Sequence, residues 1–237
     1  MRNRFFLDSK LEVLVSSFGG VGTTFLSVAI SEFLQTNNPA DLDGYKHAPV
    51  PPLSRNKNLK VIYVVGDPIL AAASLFRRGF HFGQSGKLQY SCLLRRILPQ
   101  GLTLEDYAAQ GTDRFLFESH FYAWCRDLVF YPTLIVKYES IHDHIKEIAT
   151  FLDLPEQFVD TFPARQDRNS HLSDIRPETL KNLLNMYGGL KREVDALPAV
   201  SESKEKKPQS EAFFDHRYAV GVCRDVFWSL FGNRQNF

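Results

Sequence analysis

The run Val13-Leu14-Val15-Ser16-Ser17-Phe18-Gly19-Gly20-Val21-Gly22-Thr23-Thr24-Phe25-Leu26 constrains most strongly what this chain can fold into. A β-branched, apolar stretch ends in three glycines and two threonines, and a helical pattern follows at once. Phe25, Leu26, Ala29, Ile30, Phe33 and Leu34 recur at the spacing of a sheet-facing helix that runs to about Leu34. The order predicts a strand from about Glu12 to Ser16, a tight loop of phosphate size and a helix N-terminus. Glycines let backbone N–H groups approach an anion closely. Thr23 and Thr24 add hydroxyl donors where the helix dipole already favours negative charge. The lysine of G-x-x-x-x-G-K-[ST] is absent, so an ordinary ATPase or GTPase is not expected. A merely structural glycine-rich turn is the alternative for the same residues.

Strand and helix signals alternate beyond this point, which predicts an α/β protein with a parallel sheet. Residues 36 to 58 carry polar and proline-rich loop signals. The run from Leu59 to Val65 reads as a second buried strand, and Asp67 and Pro68 as the cap and first turn of a helix over about Ile69 to Arg78. Residues 79 to 112 hold glycine-rich and polar pieces, with a short helical segment near Tyr90 to Leu98. A helix from about Phe115 to Asp127, a third strand from Thr133 to Tyr138 and a helix from about Ile141 to Leu152 follow. Residues 198 to 211, rich in Ser, Lys, Glu and Pro, read as an exposed loop, and Asp215 to Phe231 as an amphipathic helix.

With 237 residues and 44% hydrophobic content the chain can bury a full core, and a single domain over 1–237 is the simplest reading. Lys plus Arg (28) nearly balances Asp plus Glu (27), so no general affinity for nucleic acid is expected, and an anion site must come from local arrangement. The three cysteines, Cys92, Cys125 and Cys223, have no zinc spacing or disulfide framework, which favours a reducing compartment and no metal site. The N-terminal apolar run is too short for a signal peptide. No stretch approaches the roughly 20 apolar residues that span a bilayer. A soluble, cytoplasmic protein without a membrane segment is therefore expected.

Several segments, in order, resemble the sulfotransferase family, whose members transfer a sulfuryl group from 3′-phosphoadenosine 5′-phosphosulfate (PAPS). Gly19-Gly20-Val21-Gly22-Thr23-Thr24-Phe25 is similar to the 5′-phosphosulfate loop P-K-S-G-T-T-W. Lys46-His47-Ala48-Pro49 resembles K-T-H-L-P of the cytosolic branch, one residue shorter. The segment from Asn58 to Pro68, with Ser74, resembles the 3′-phosphate element N-x-K-V-I-Y-V-x-R-[DN]-P-(x)6-S. Phe117, His120 and Trp124 echo F-x-x-H-x-x-x-W, Leu134 to Ser140 echo L-x-x-x-Y-E-D, and Phe151 to Pro155 match F-L-G-L-P. The resemblance covers about residues 10 to 160. It implies a three-layer, P-loop-NTPase-like sulfotransferase fold around a central parallel sheet.

The resemblance also implies site residues. PAPS would be held by Gly20, Val21, Gly22, Thr23 and Thr24, with Phe25 on the adenine, Ser74 on the 3′-phosphate and Tyr138 reaching the nucleotide. His47 would be the general base and Lys46 a stabiliser of transferred charge. Each has a plainer alternative: an exposed loop histidine, a core phenylalanine, a helical serine, a packed strand-end tyrosine. His81 and His120 read as structural or surface residues, although His81 follows the Ser74 helix and could line the acceptor cleft. Two departures stand out. The family's loop lysine corresponds to Gly20 and its 3′-phosphate arginine to Gly66. Arg77 and Arg78 are candidates to replace that arginine. Arg165, Arg168 and Arg217 are candidates for the charge of an Arg-Lys-Gly element that has no clear counterpart. The function these features imply is transfer of a sulfuryl group from PAPS to a hydroxyl of a small molecule or glycan. The alternatives are transfer from another nucleotide donor, such as a nucleotide sugar, and a non-catalytic nucleotide- or glycan-binding protein. The acceptor and the oligomeric state are not legible.

Overall fold

A computed structural model describes residues 6–89, 97–165, 171–203 and 207–210. Strands β1 (Val13–Ser16), β2 (Lys60–Val65) and β3 (Thr133–Lys137) lie side by side in parallel, and β4 (Val200–Glu202) joins β3 antiparallel. The register pairs Val15 with Ile62 and Ile62 with Leu134. β1 is buried throughout, as is β2 from Val61 onward. Strands covered on both faces read as continuous apolar runs, and for that reason they are visible in the sequence. The sheet is mixed rather than purely parallel. β4 lies inside the stretch expected as an exposed loop, and three half-exposed or exposed residues held by backbone pairing to β3 leave no hydrophobic signature.

The helices are α1 (Thr23–Ser31), α2 (Pro68–Arg77), α3 (His81–Leu88), α4 (Leu104–Ala109), α5 (Phe117–Tyr122), α6 (Ile145–Leu152), α7 (Glu156–Asp160) and α8 (Pro177–Ala196). α1 stops short of the expected Leu34, and the chain turns where Phe33 and Leu34 both donate to the carbonyl of Ile30. The helix expected over 115–127 is α5 continued by one π-helical turn, Ala123–Asp127. The one expected over 141–152 begins only at Ile145, after a 3-10 turn at Tyr138–Ser140. α8 was not expected. Its buried stripe of Thr179, Leu183, Tyr187, Leu190 and Val194 packs on α2 and α4, but its middle carries Gly188-Gly189, which lower helix propensity in the sequence. The segment expected to be helical near Tyr90 to Leu98 lies mostly outside the described residues, as do Asp215 to Phe231, Arg168, Arg217, Cys92 and Cys223.

The result is an α/β protein with a four-stranded, mostly parallel sheet, compatible with a three-layer arrangement. Its core is aromatic. The ring of Phe117 lies between those of Phe115 (4.9 Å) and Phe18 (4.7 Å). Tyr63, His120 and Trp124 stack on one another at 5.7–5.8 Å, with Tyr63 Oη 2.9 Å from His120 Nδ1. His120 is thus a core residue, 1% exposed. No described helix is long and apolar enough to cross a membrane.

Candidate functional site

The loop between β1 and α1 turns on glycine. Gly19, Gly20 and Gly22 have φ of 98°, 73° and 66°, left-handed values that an L side chain rarely adopts. At Gly20 space adds a second constraint. A Cβ there would stand 2.6 Å from the carbonyl oxygen of Ala71 and 2.8 Å from its Cα, so α2 backbone occupies the place of any side chain. Gly22 is the N-cap of α1 and offers no side chain to its amides, and the first turn carries no acidic residue. The positive end of the α1 dipole is therefore left for another negative group. Side chains brace the loop from below: Ser17 Oγ accepts from Gly19 N (3.1 Å), and Gln84 Nε2 donates to the carbonyl of Phe18 (2.9 Å).

A second segment is fastened along the edge of β1. The Asn37 amide accepts from Val15 N (2.8 Å) and donates to Val15 O (3.1 Å), so a side chain pairs with β1 as a neighbouring strand would. Further on, the carbonyl of Lys46 accepts from Ser16 Oγ (3.0 Å) and Ser17 N (3.1 Å). Lys46 and His47 are thereby delivered to the glycine loop from 22 residues beyond Thr24. Lys46 is 4% exposed, and its ammonium donates to Thr24 Oγ1 (2.9 Å) and to the carbonyl of Pro39. Burial lowers the Lys46 pKa, opposed by the Asp41 carboxylate.

His47 is 7% exposed, and its Nδ1 lies 2.8 Å from the carbonyl of Ser17. A carbonyl only accepts, so Nδ1 carries the proton and the lone pair sits on Nε2. Burial pushes the imidazole down to about 4, opposed by Asp41 and by the bond to Ser17. His47 is therefore neutral at physiological pH.

Gly20, Gly22, Thr23, Thr24, Lys46 and His47 line one cavity of about 480 Å³. Four of the other expected residues do not. Val21 is fully buried, its side chain packed toward Gly66, where a Cβ would approach Val21 Cγ1 to 3.0 Å. Ser74 is buried in α2. Phe25 belongs to an aromatic group: its ring stacks on His142 at 5.7 Å and meets Tyr138 edge-on at 6.5 Å. Tyr138 packs against Gly22, where a Cβ would come within 2.2 Å of the ring. The loop glycines and threonines thus share one cavity with Lys46 and His47, whereas Phe25 and Tyr138 belong to an aromatic group that is not among its lining residues.

The cavity also holds residues that carry no motif. Asp41 and Lys87 lie on its wall, their side chains 2.6 Å apart, together with Gln84, Phe80 and Arg78. Of these, only Arg78 was a candidate, with Arg77, to replace the arginine missing at Gly66. His81 is not among the lining residues: its Nε2 donates to the carbonyls of Pro99 and Gln100, and its ring stacks on Phe76 at 4.4 Å. Arg165 pairs with Asp143 at 2.7 Å, away from the cavity. No group of three His, Cys, Asp or Glu that could hold a metal occurs among the described residues. In comparisons with known proteins, no family model and no curated protein matches this chain.

Proposed function

We propose that this protein is a transferase of the sulfotransferase type, moving a sulfuryl group from PAPS to a hydroxyl of a small molecule or glycan. The observation that carries the proposal is the meeting of the glycine loop with Lys46 and His47 in one cavity. The loop amides and the Thr23 and Thr24 hydroxyls would take the 5′-phosphosulfate, in the way helix N-termini take phosphates. The acceptor oxygen forms a bond to sulfur while the bond from sulfur to the phosphate oxygen breaks. The acceptor proton passes to Nε2 of His47, and 3′-phosphoadenosine 5′-phosphate (PAP) departs. A base with a pKa near 4 takes that proton only as the acceptor oxygen loses its basicity, so proton transfer accompanies bond formation. Lys46, fixed to Thr24, supplies positive charge where the phosphate leaves.

A second proposal has its own support. Gly66 faces Val21 and Tyr138, and Ser74 is not on the cavity wall, so the motif positions that would grip a 3′-phosphate do not converge on it. A nucleotide donor without that phosphate, such as a nucleotide sugar, would suit these residues. Calorimetric titration with PAP, and with AMP as control, decides between them. Micromolar binding of PAP, clearly tighter than AMP, supports sulfuryl transfer. Equal or absent binding overturns the PAPS assignment and directs the search to nucleotide sugars.

A further inference from the structure

The cavity needs positive charge to hold a phosphate, and its own loop cannot provide it. A side chain at Gly20 is excluded by the Ala71 backbone, so no lysine fits where loops of this kind carry one. Three cations reach the cavity from elsewhere: Lys46 from the strap along β1, Arg78 from the C-cap of α2, and Lys87 from the last turn of α3. Against them stands one buried carboxylate, Asp41.

Arg78 is held in place without being neutralised. Its Nε donates to the carbonyl of Ser74 (3.2 Å), and its guanidinium lies over the Phe80 ring, 5.1 Å from the centroid. None of the ion pairs found among the described residues includes Arg78. A guanidinium fixed at Nε still presents donors at its two remaining nitrogens, spaced to match two oxygens of a tetrahedral anion.

Lys87 is engaged differently. Its ammonium meets Asp41, which also accepts from Lys46 N through Oδ1 (3.0 Å). Asp41 has φ of 60°, a left-handed conformation uncommon for a side chain other than glycine.

We propose that Arg78 and Lys87, with Lys46, are the charged ligands of a phosphate-class anion in this cavity, replacing the loop lysine, and that Asp41 competes with that anion for Lys87. The proposal rests on the glycine loop being a phosphate cradle, but not on PAPS being the donor. Inorganic pyrophosphate is a suitable probe, because it offers adjacent tetrahedral anions without a base or sugar.

Pyrophosphate is titrated calorimetrically into the parent protein and into Arg78→Gln, Lys87→Gln, Asp41→Asn and Lys146→Gln, the last an exposed lysine on α6. Loss of a charge-assisted contact is expected to weaken binding about tenfold for Arg78→Gln and for Lys87→Gln. Asp41→Asn keeps the acceptor for Lys46 N and removes the competing charge, so it tightens binding. Lys146→Gln leaves it unchanged. Parent-like binding by both the Arg78 and Lys87 variants overturns the proposal, and so does a parent protein that fails to bind millimolar pyrophosphate. Pyrophosphate binding that depends on Arg78 and Lys87, in a protein indifferent to PAP, supports this assignment while removing PAPS as donor. Undiminished PAP binding by both variants does the reverse.

Discussion

The bond from His47 to the Ser17 carbonyl fixes which ring nitrogen can act as a base. With Nδ1–H directed to Ser17 O, Nε2 is the proton acceptor. His47→Asn preserves a donor near the Nδ1 position and removes the base. Turnover with PAPS and a hydroxyl acceptor is expected to fall by about 10²- to 10⁴-fold, with PAP affinity nearly intact. Unchanged turnover in a steady-state assay would remove His47 from the chemistry. Gly20 is the other residue whose neighbours set its identity. Gly20→Ala places a Cβ against the Ala71 carbonyl at a positive φ, and a destabilisation of about 2–4 kcal/mol in urea unfolding is expected. A loss below about 0.5 kcal/mol would mean that α2 gives way easily. Glycine at position 20 thus reads in the sequence as loop flexibility, whereas the exclusion of lysine there comes from α2 packing across it.

Elements divide into those that bury an uninterrupted apolar run and those that owe their form to neighbours. β1, β2, β3 and the cap of α2 were legible. Asp67 accepts from Ile69 N (2.8 Å) and Leu70 N (3.2 Å), as its position before Pro68 predicts. It also pairs with Lys191 of α8 at 2.8 Å, a contact no local pattern announces. Asp67→Ala is expected to cost about 1–2 kcal/mol, since it removes both cap and pair, and Asp67→Asn to recover most of that through its retained acceptor. Equal losses for the two variants in chemical denaturation would assign the effect to the ion pair instead. α3 was not legible, because His81-Phe82-Gly83-Gln84-Ser85-Gly86-Lys87-Leu88 contains two glycines and little apolar content. Tertiary bonds hold it: Gln84 to Phe18 O, His81 to Pro99 O and Gln100 O, and Ser85 Oγ to Leu98 N. Lys87 could not be placed in the site until those bonds had formed the helix.

At the scale of the whole molecule, His47 and Asp113 tie stability to pH with opposite signs. His47, held at about 4 by burial, binds its proton less readily folded than unfolded. Its contribution is complete above the unfolded value of 6.5 and is lost as pH falls toward 4. Asp113 is held at about 6, from a starting value of 3.8, chiefly by burial and against the hydrogen bond from Tyr187 Oη (2.8 Å). The folded state binds that proton more tightly, so stability declines as pH rises through 3.8 to 6. Between pH 4 and 6 the two dependences offset each other. Asp113→Asn is expected to make stability fall on acidification by about 1 kcal/mol per pH unit more than in the parent. His47→Asn is expected to change the slope by a similar amount in the opposite direction. Unfolding free energies at pH 4.5, 5.5 and 6.5 check both, and parallel curves for parent and variants would refute the assignment.

The sequence by itself determined the α/β class, three strands and the glycine turn that opens α1, because short-range periodicity and backbone freedom are properties of neighbouring residues. It also marked Lys46 and His47, through their resemblance to a motif. Only the tertiary structure decided that these two meet the loop, since the strap along β1 depends on an Asn37 side chain pairing with Val15. Only it separated Phe25, Ser74 and Tyr138 from the cavity and brought Arg78, Lys87 and Asp41 onto its wall. Charge at a site depends on which surfaces face each other across tens of residues of chain, and local sequence carries no record of that.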